Sequence, residues 1–217
     1  QAAIRDAVLV QAAPFDRPPA TLMQLGSRYA GITWGKDDVA LLDEYWWKSR
    51  QMKQWKINPG SPDQAPVLLV ERSEDDRYAD PGDPLLQSDE SGRERLQLGT
   101  DGKSFFRIGT GASAEGDRPF LDRVDLASGK SERLFHSQAP YYEAPVAMTD
   151  GDAPRVLYSR ESNDEPSNLY ARALGGDAAP VALTHNTHPL PQLRGVKKEQ
   201  IRYKREDGVE LTADLML

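Results

Sequence analysis

The chain consists of short strand-like segments separated by turn residues, and this pattern limits its possible folds more than any other feature. Apolar or alternating runs end at Gly, Pro, Asp or Asn, and runs of about 4–8 residues are typical of strands rather than helices. Four such runs recur within about 30–72, 96–137 and 145–185, and two occur within 4–25. A repeated unit of roughly 40–50 residues with four strands is typical of a β-propeller blade.

The first unit shows the pattern most clearly. Its four runs are AGITW (30–34), VALLDEYWW (39–47), QMKQWKI (51–57) and PVLLVER (66–72). Successive residues of the third run alternate between two sets of side chains, as expected for the two faces of a half-buried strand. We therefore predict an all-β chain that forms a partial β-propeller of about three and a half four-stranded antiparallel blades. A β-sandwich would also give short alternating strands, but the recurrence of similar strands in the same order favours blades.

The segments between the runs carry turn chemistry. The turns DGDAP (150–154) and GGDAA (175–179) separate strand-like runs of the third unit, and such residues favour tight turns. Residues 73–94 are acidic, rich in Pro and Gly, and without apolar periodicity. We predict that they form a long surface loop between the first two blades.

Composition excludes several classes of function. Lys and Arg number 27 against 34 Asp and Glu, and the net charge is −7, which argues against a nucleic-acid partner because such binding needs basic side chains at phosphates. No apolar run approaches the ~20 residues that cross a bilayer, so we predict no membrane partner. The chain has no Cys, which excludes disulfides and thiolate chemistry and fits a periplasmic or a cytoplasmic location equally.

Several strings imitate catalytic or ligand motifs without their context. Gly109–Ala114 matches G-x-G-x-x-A, but Pro119 follows where a dinucleotide site needs a helix, so a glycine-rich hairpin loop is predicted. His185 and His188 stand beside prolines without a nearby carboxylate, which favours a solvated loop over a metal site. No G-x-S-x-G string occurs. We therefore predict no catalytic residue, no metal site and no cofactor in this chain.

The aromatic residues Tyr45, Trp46, Trp47 and Trp55 form a cluster on neighbouring predicted strands. They could stack on a sugar or a peptide. Packing between sheets is favoured, because each of these side chains buries a large apolar area.

Longer strings resemble the prolyl oligopeptidase family of serine peptidases, and in particular its glutamyl endopeptidase-like branch. The strings lie at 28–55, 109–126, 136–147 and 188–217, and the last, HPLPQLRGVKKEQIRYKREDGVELTADLML, is the most specific. The resemblance implies that 1–196 is a partial β-propeller domain. It also implies that 197–217 is a linker and the first hairpin of an α/β-hydrolase catalytic domain whose nucleophile, Asp and His all lie beyond Leu217.

The resemblance further implies a role in access to peptide substrates, which would meet this chain through the missing catalytic domain. A glutamyl specificity requires a cation for the substrate carboxylate, and Arg suits it because its guanidinium can bind both oxygens. Arg107 and Arg118, which flank the glycine-rich loop, are the candidates, with Tyr141 and Tyr142 as further substrate-binding candidates. Surface salt bridges are the alternative for both arginines.

We therefore expect a non-catalytic propeller fragment that gates and helps bind peptides for a serine-type peptidase. The alternative is a propeller-like scaffold that binds a protein or carbohydrate without catalysis. Because a partial propeller leaves strand edges and sheet faces uncovered, we also predict self-association through the exposed blade edges.

Overall fold

A computed structural model of the chain describes residues 3–149, 154–175, 178–193 and 195–217. Two strands, β1 (Asp6–Val10) and β2 (Ala20–Leu25), pair into an antiparallel half blade. The first full blade is an antiparallel sheet in sequential order. Its strands are β3 (Arg28–Trp34), β4 (Ala40–Trp46), β5 (Gln51–Ile57) and β6 (Val67–Ser73). All four lie at the positions of the predicted runs.

The second blade differs from its prediction at the inner strand. Its sheet combines β7 (Asp83–Pro84), β10 (Ser104–Gly109), β11 (Phe120–Asp125) and β12 (Ser131–His136), with β7 paired to β10. A separate hairpin of β8 (Leu86–Ser88) and β9 (Glu94–Leu96) lies between β7 and β10 in the chain. The prediction that 73–94 is only a surface loop is therefore wrong, because backbone hydrogen bonds form strands there without an apolar pattern.

The third blade and the final hairpin complete the described structure. The blade contains β13 (Tyr142–Met148), β14 (Arg155–Glu161), β15 (Asn168–Ala173) and β16 (Val181–Ala182), in sequential antiparallel order. A short 3-10 turn (Pro191–Leu193) precedes the two-stranded sheet of β17 (Lys198–Lys204) and β18 (Glu210–Met216). Residues 150–153 and 176–177 of the predicted turns 150–154 and 175–179 lie outside the described residues.

Three hydrophobic clusters fill the spaces between successive sheets. The first joins β2 to the first blade, the second joins the first and second blades, and the third joins the second and third blades. Neighbouring side chains divide between clusters, because successive residues of a strand point to opposite faces. Leu42 belongs to the first cluster and Leu41 to the second, while Phe105 belongs to the second and Phe106 to the third.

This stacking confirms the predicted fold class, an all-β chain whose four-stranded antiparallel sheets form a partial propeller. In the described ranges, no helix is long and apolar enough to cross a membrane.

Candidate functional site

Five connecting segments form one continuous face of the three blades, which we call the loop face. It comprises 47–50, 74–82, 109–119, 137–141 and 162–167. Hydrogen bonds join neighbouring segments: Glu74 N–H donates to Arg50 O at 2.7 Å, and Ser137 N–H donates to Pro119 O at 2.8 Å. Antiparallel pairing explains the arrangement, because the second strand of a blade ends on the same side as its fourth strand.

The topology brings all four predicted substrate-binding residues to the loop face. Arg107 lies near the end of β10 and is only 3% exposed. Arg118 is half-buried in segment 109–119, Tyr141 is half-buried before β13, and Tyr142 is exposed at the start of β13. Within the described part of the chain, no hydrogen bond joins any two of the four. They share a face without forming one contact cluster.

Arg107 is held in a polar network between the first and second blades. Its Nη2 donates to Gln54 Oε1 and its Nη1 donates to Gly82 O at 3.1 Å, while Gln54 Nε2 donates to Asp43 Oδ1 at 2.8 Å. Burial lowers the pKa of Arg107 to about 10 against the opposing effect of nearby carboxylates, and burial raises the pKa of the Asp43 carboxyl. Arg107 therefore stays charged near neutral pH, with its donors directed at the first blade.

A small cavity of about 140 Å³ adjoins this network and is lined by Asp43, Gln54, Arg72 and Arg107 among other residues. Arg72 closes one side through an ion pair with Asp80 at 3.1 Å. Such a space is polar and large enough to hold ordered water.

Arg118 has a different environment from Arg107. Its backbone N–H donates to Gly111 O at 2.9 Å, which closes the base of the glycine-rich loop. No hydrogen bond or ion pair of the described residues engages its guanidinium group. The imidazole of His136 has its pKa lowered by burial first, and then by the charges of Arg133 and Arg118. Arg118 is thus a cation with unused donors on the loop face.

Tyr141 packs against a residue that the sequence did not single out. The Arg160 Cζ atom lies 4.3 Å from the ring centroid of Tyr141 and 4.0 Å from that of Tyr170, so the guanidinium stacks between two rings. The Tyr141 hydroxyl donates to Glu165 Oε1 at 3.2 Å, and this bond raises the pKa of Tyr141. Arg160 and Glu165 together fix the Tyr141 ring. Strand alternation could place Arg160 at the end of β14, but no local signal indicates these partners.

The aromatic cluster divides into half-buried and exposed members. Trp55 donates its indole N–H to the buried carboxylate of Glu44 at 3.0 Å, and Arg5 covers the ring of Trp46 at 3.9 Å. Trp47 is 63% exposed in the turn between β4 and β5. The prediction of packing between sheets is therefore wrong for Trp47, because the turn directs its side chain outward on the loop face.

The look-alike motifs have structural surroundings that explain them. The strand β11, rather than a helix, follows the glycine-rich loop. His188 accepts a hydrogen bond at Nδ1 from Leu190 N–H at 3.1 Å. In the ranges that the structure describes, no group of three or more His, Cys, Asp or Glu side chains is placed to hold a metal ion.

No protein-family model matches the chain. It is 38% identical over 211 residues to the "Probable glutamyl endopeptidase, chloroplastic" of Oryza sativa subsp. japonica, which covers 92% of this chain and 22% of that protein. It is 37% identical over 228 aligned residues to the protein of the same name from Arabidopsis thaliana, covering 98% of this chain and 24% of that protein. The chain thus spans about a quarter of the length of these relatives. The matches confirm the resemblance to glutamyl endopeptidases.

Proposed function

We propose that this chain, a homologue of the glutamyl endopeptidases of the prolyl oligopeptidase-like family, forms a non-catalytic wall that gates and helps bind peptides for a serine-type peptidase. The observation that carries the proposal is the identity of 37–38% across nearly the whole chain to proteins named as such peptidases. The stacked four-stranded sheets add support, because blades around an axis can enclose a channel.

The proposed division of labour places 1–196 in a propeller domain and 197–217 at the start of a catalytic domain. The final hairpin supports this division because it forms its own sheet. Its two faces differ: Ile201 and Tyr203 alternate with charged residues along β17, and both are exposed. An apolar sheet face of this kind requires a covering layer, which the rest of a catalytic domain would supply.

Substrate recognition is proposed to use the loop face, with Arg118 as the cation that meets a substrate carboxylate. Arg118 has unused donors, whereas the donors of Arg107 are committed to Gln54 and Gly82. Arg107 would support the face by holding the first and second blades in register. Tyr142, exposed and next to Tyr141, would contact the peptide.

The test uses the intact protein and matched peptides that carry Glu or Gln at the cleaved position. Arg118→Gln should lower kcat/KM for the Glu peptide about 10- to 100-fold, the value of one charge-assisted hydrogen bond, and leave the Gln peptide nearly unchanged. Arg123→Gln is the control, because Arg123 is an exposed arginine already paired with Glu132. Equal losses for both peptides would contradict a role in carboxylate recognition.

The catalytic assignment has a separate test. Hydrolysis by the intact protein should be abolished by a serine-directed inhibitor, and the isolated 1–217 chain should show no hydrolysis. Inhibitor-sensitive turnover by the isolated chain would overturn the proposal that its role is non-catalytic.

The exposed Trp47 favours a second candidate function, a scaffold that binds a protein or carbohydrate. Exposed Trp residues often anchor interfaces, and Trp47 lies beside Lys48 at 5.7 Å from its ring. Binding of a partner by the intact protein that is lost in Trp47→Ala, without any peptide hydrolysis, would favour this function over the peptidase.

We also propose that the isolated chain associates with itself. The outer face of the third blade exposes Val146 (51%), Leu169 (41%) and Val181 (54%). Uncovered apolar sheet faces of this kind promote association. Sedimentation of the isolated chain as a monomer at high concentration would contradict this.

A further inference from the structure

A β-bulge in the outer strand of the second blade brings two basic side chains to one face of the sheet. Phe120 and Asp122 of β11 are opposite His136 and Arg133 of β12, and the register shifts between these two pairs. Side chains of cross-strand partners share a face, so Arg133 and His136 lie on the same face although they are three residues apart. In a regular strand, alternation would send them to opposite faces.

Arg118 lies beside His136 at the loop face. Ser137 N–H donates to Pro119 O at 2.8 Å, which extends the pairing of β11 and β12 by one residue beyond Phe120. Arg118 is two residues before Phe120, and alternation places its side chain on the same face as that of His136. Side chains in this diagonal relation across two strands are close enough for long residues to meet.

Positive charge predominates around the His136 imidazole. Partial burial lowers the pKa of His136 first, the charges of Arg133 and Arg118 lower it further, and Asp122 opposes them. On the side of the third blade, Arg172 lines the same cleft of about 230 Å³ as His136, and no Asp or Glu is among the described residues that line it. A bound anion would therefore favour the protonated form of this imidazole.

The three basic side chains of the second blade differ in their partners. Arg133 donates from Nε and Nη2 to the two carboxylate oxygens of Asp122, and its Cζ atom lies 4.0 Å from the ring centroid of Phe120. In the described part of the chain, no hydrogen bond or ion pair engages the imidazole of His136 or the guanidinium of Arg118. These two groups can therefore bind an anion together, while Arg133 adds positive charge beside them.

We propose that His136 and Arg118 together bind the carboxylate of a glutamyl substrate, so that His136 is a second specificity-determining residue. The Arg118 guanidinium donates to one oxygen and the His136 imidazolium to the other, because each is a charge-assisted donor. A Gln side chain has one acceptor oxygen and no charge, so it satisfies this pair only in part. The inference rests on the proposed function and adds a proton-dependent group to its carboxylate site.

The imidazole makes the preference for Glu depend on pH. Because its pKa is lowered, His136 becomes protonated only below about pH 6.5, while a Glu side chain stays ionised down to about pH 4.3. The ratio of kcat/KM for a Glu peptide to that for the matched Gln peptide should therefore rise as the pH falls from about 8 to about 5.5. Titration of the catalytic groups affects both peptides and cancels in this ratio.

The test compares variants of the intact protein with the matched Glu and Gln peptides. His136→Gln should lower the ratio about 10- to 100-fold at about pH 5.5, the value of one charge-assisted hydrogen bond. At about pH 8, where the imidazole is neutral, it should change the ratio about twofold or less. His136→Lys keeps a cation at this position and should keep the ratio high at both pH values. His185→Gln is the matched control, because His185 is also an exposed histidine, and it should leave the ratio and its pH dependence unchanged.

The outcomes separate this inference from the proposed function. A ratio that His136→Gln leaves unchanged at both pH values, although Arg118→Gln lowers it, would overturn the role of His136 alone. A ratio lost in His136→Gln and not recovered in His136→Lys would also overturn that role, because a purely structural effect explains such a result. An unmodified protein without preference for the Glu peptide, or a preference that Arg118→Gln leaves intact, would overturn the proposed carboxylate recognition and the role of His136 with it.

Discussion

Replacing Gly82 by Ala tests the contact between the first inter-blade segment and β10. Gly82 has φ +78°, and a Cβ atom there would lie 2.3 Å from Ile108 O and 2.8 Å from Gly109 Cα. Both are backbone atoms of β10, so neither can rotate away. Gly92 has a nearly identical φ of +76° with nothing within 4 Å of its Cβ position. The two glycines therefore separate the cost of the backbone conformation from the cost of the close contact.

The left-handed conformation should cost about 1–2 kcal/mol of unfolding free energy in either alanine variant. The contact at Gly82 should add about 1–3 kcal/mol, as overpacking does. Gly82→Ala should also disturb the Arg107 network, because Gly82 O accepts a bond from Arg107 Nη1.

Urea unfolding followed by tryptophan fluorescence measures the difference. The chain has 4 Trp, and all lie between 34 and 55, so the signal reports on the first blade, which borders Gly82. Equal losses of stability in Gly82→Ala and Gly92→Ala would refute the close contact.

Two further predictions concern charged groups. Arg107→Met should lower the free energy of unfolding by about 2–5 kcal/mol because it leaves buried acceptors unpaired, whereas Arg123→Met, at the exposed pair with Glu132, should cost about 0–1 kcal/mol; similar losses in urea unfolding would contradict the burial argument. The hydrogen bonds from Ser91, Arg93 and Arg95 hold the pKa of Asp89 well below its usual range. Its stabilising contribution is therefore present above about pH 4 and lost as the pH falls, so the stability difference between the protein and Asp89→Asn should shrink in acid, and a constant difference would contradict it.

The strands of the first and third blades could be predicted because their signals are local. Alternation in QMKQWKI and the turn residues around it define a strand without knowledge of its partners. The inner strand of the second blade could not be predicted, since Asp83 and Pro84 have no strand propensity and join the sheet through backbone pairing with β10.

The candidate site could be predicted only in part, for the same reason. Arg107 and Arg118 could be identified as candidates because they flank the glycine-rich loop in the sequence. Burial then distinguishes the two arginines, and it depends on Gln54 and Gly82, which are distant from Arg107 in sequence. The stack of Arg160 between Tyr141 and Tyr170 is likewise a tertiary arrangement.

The second strands of the first two blades carry apolar side chains on both faces, as Leu41 with Leu42 and Phe105 with Phe106 show. A one-residue shift in the pairing register of such a strand would replace one apolar side chain by another on each face. Hydrophobic burial alone therefore gives little free-energy preference for the correct register. Gln54 and Arg107 are buried, and Gln54 bonds to both Arg107 and the half-buried Asp43, so a change of register would break these hydrogen bonds. These polar residues would therefore fix the alignment in which the apolar faces of the first two blades pack against each other.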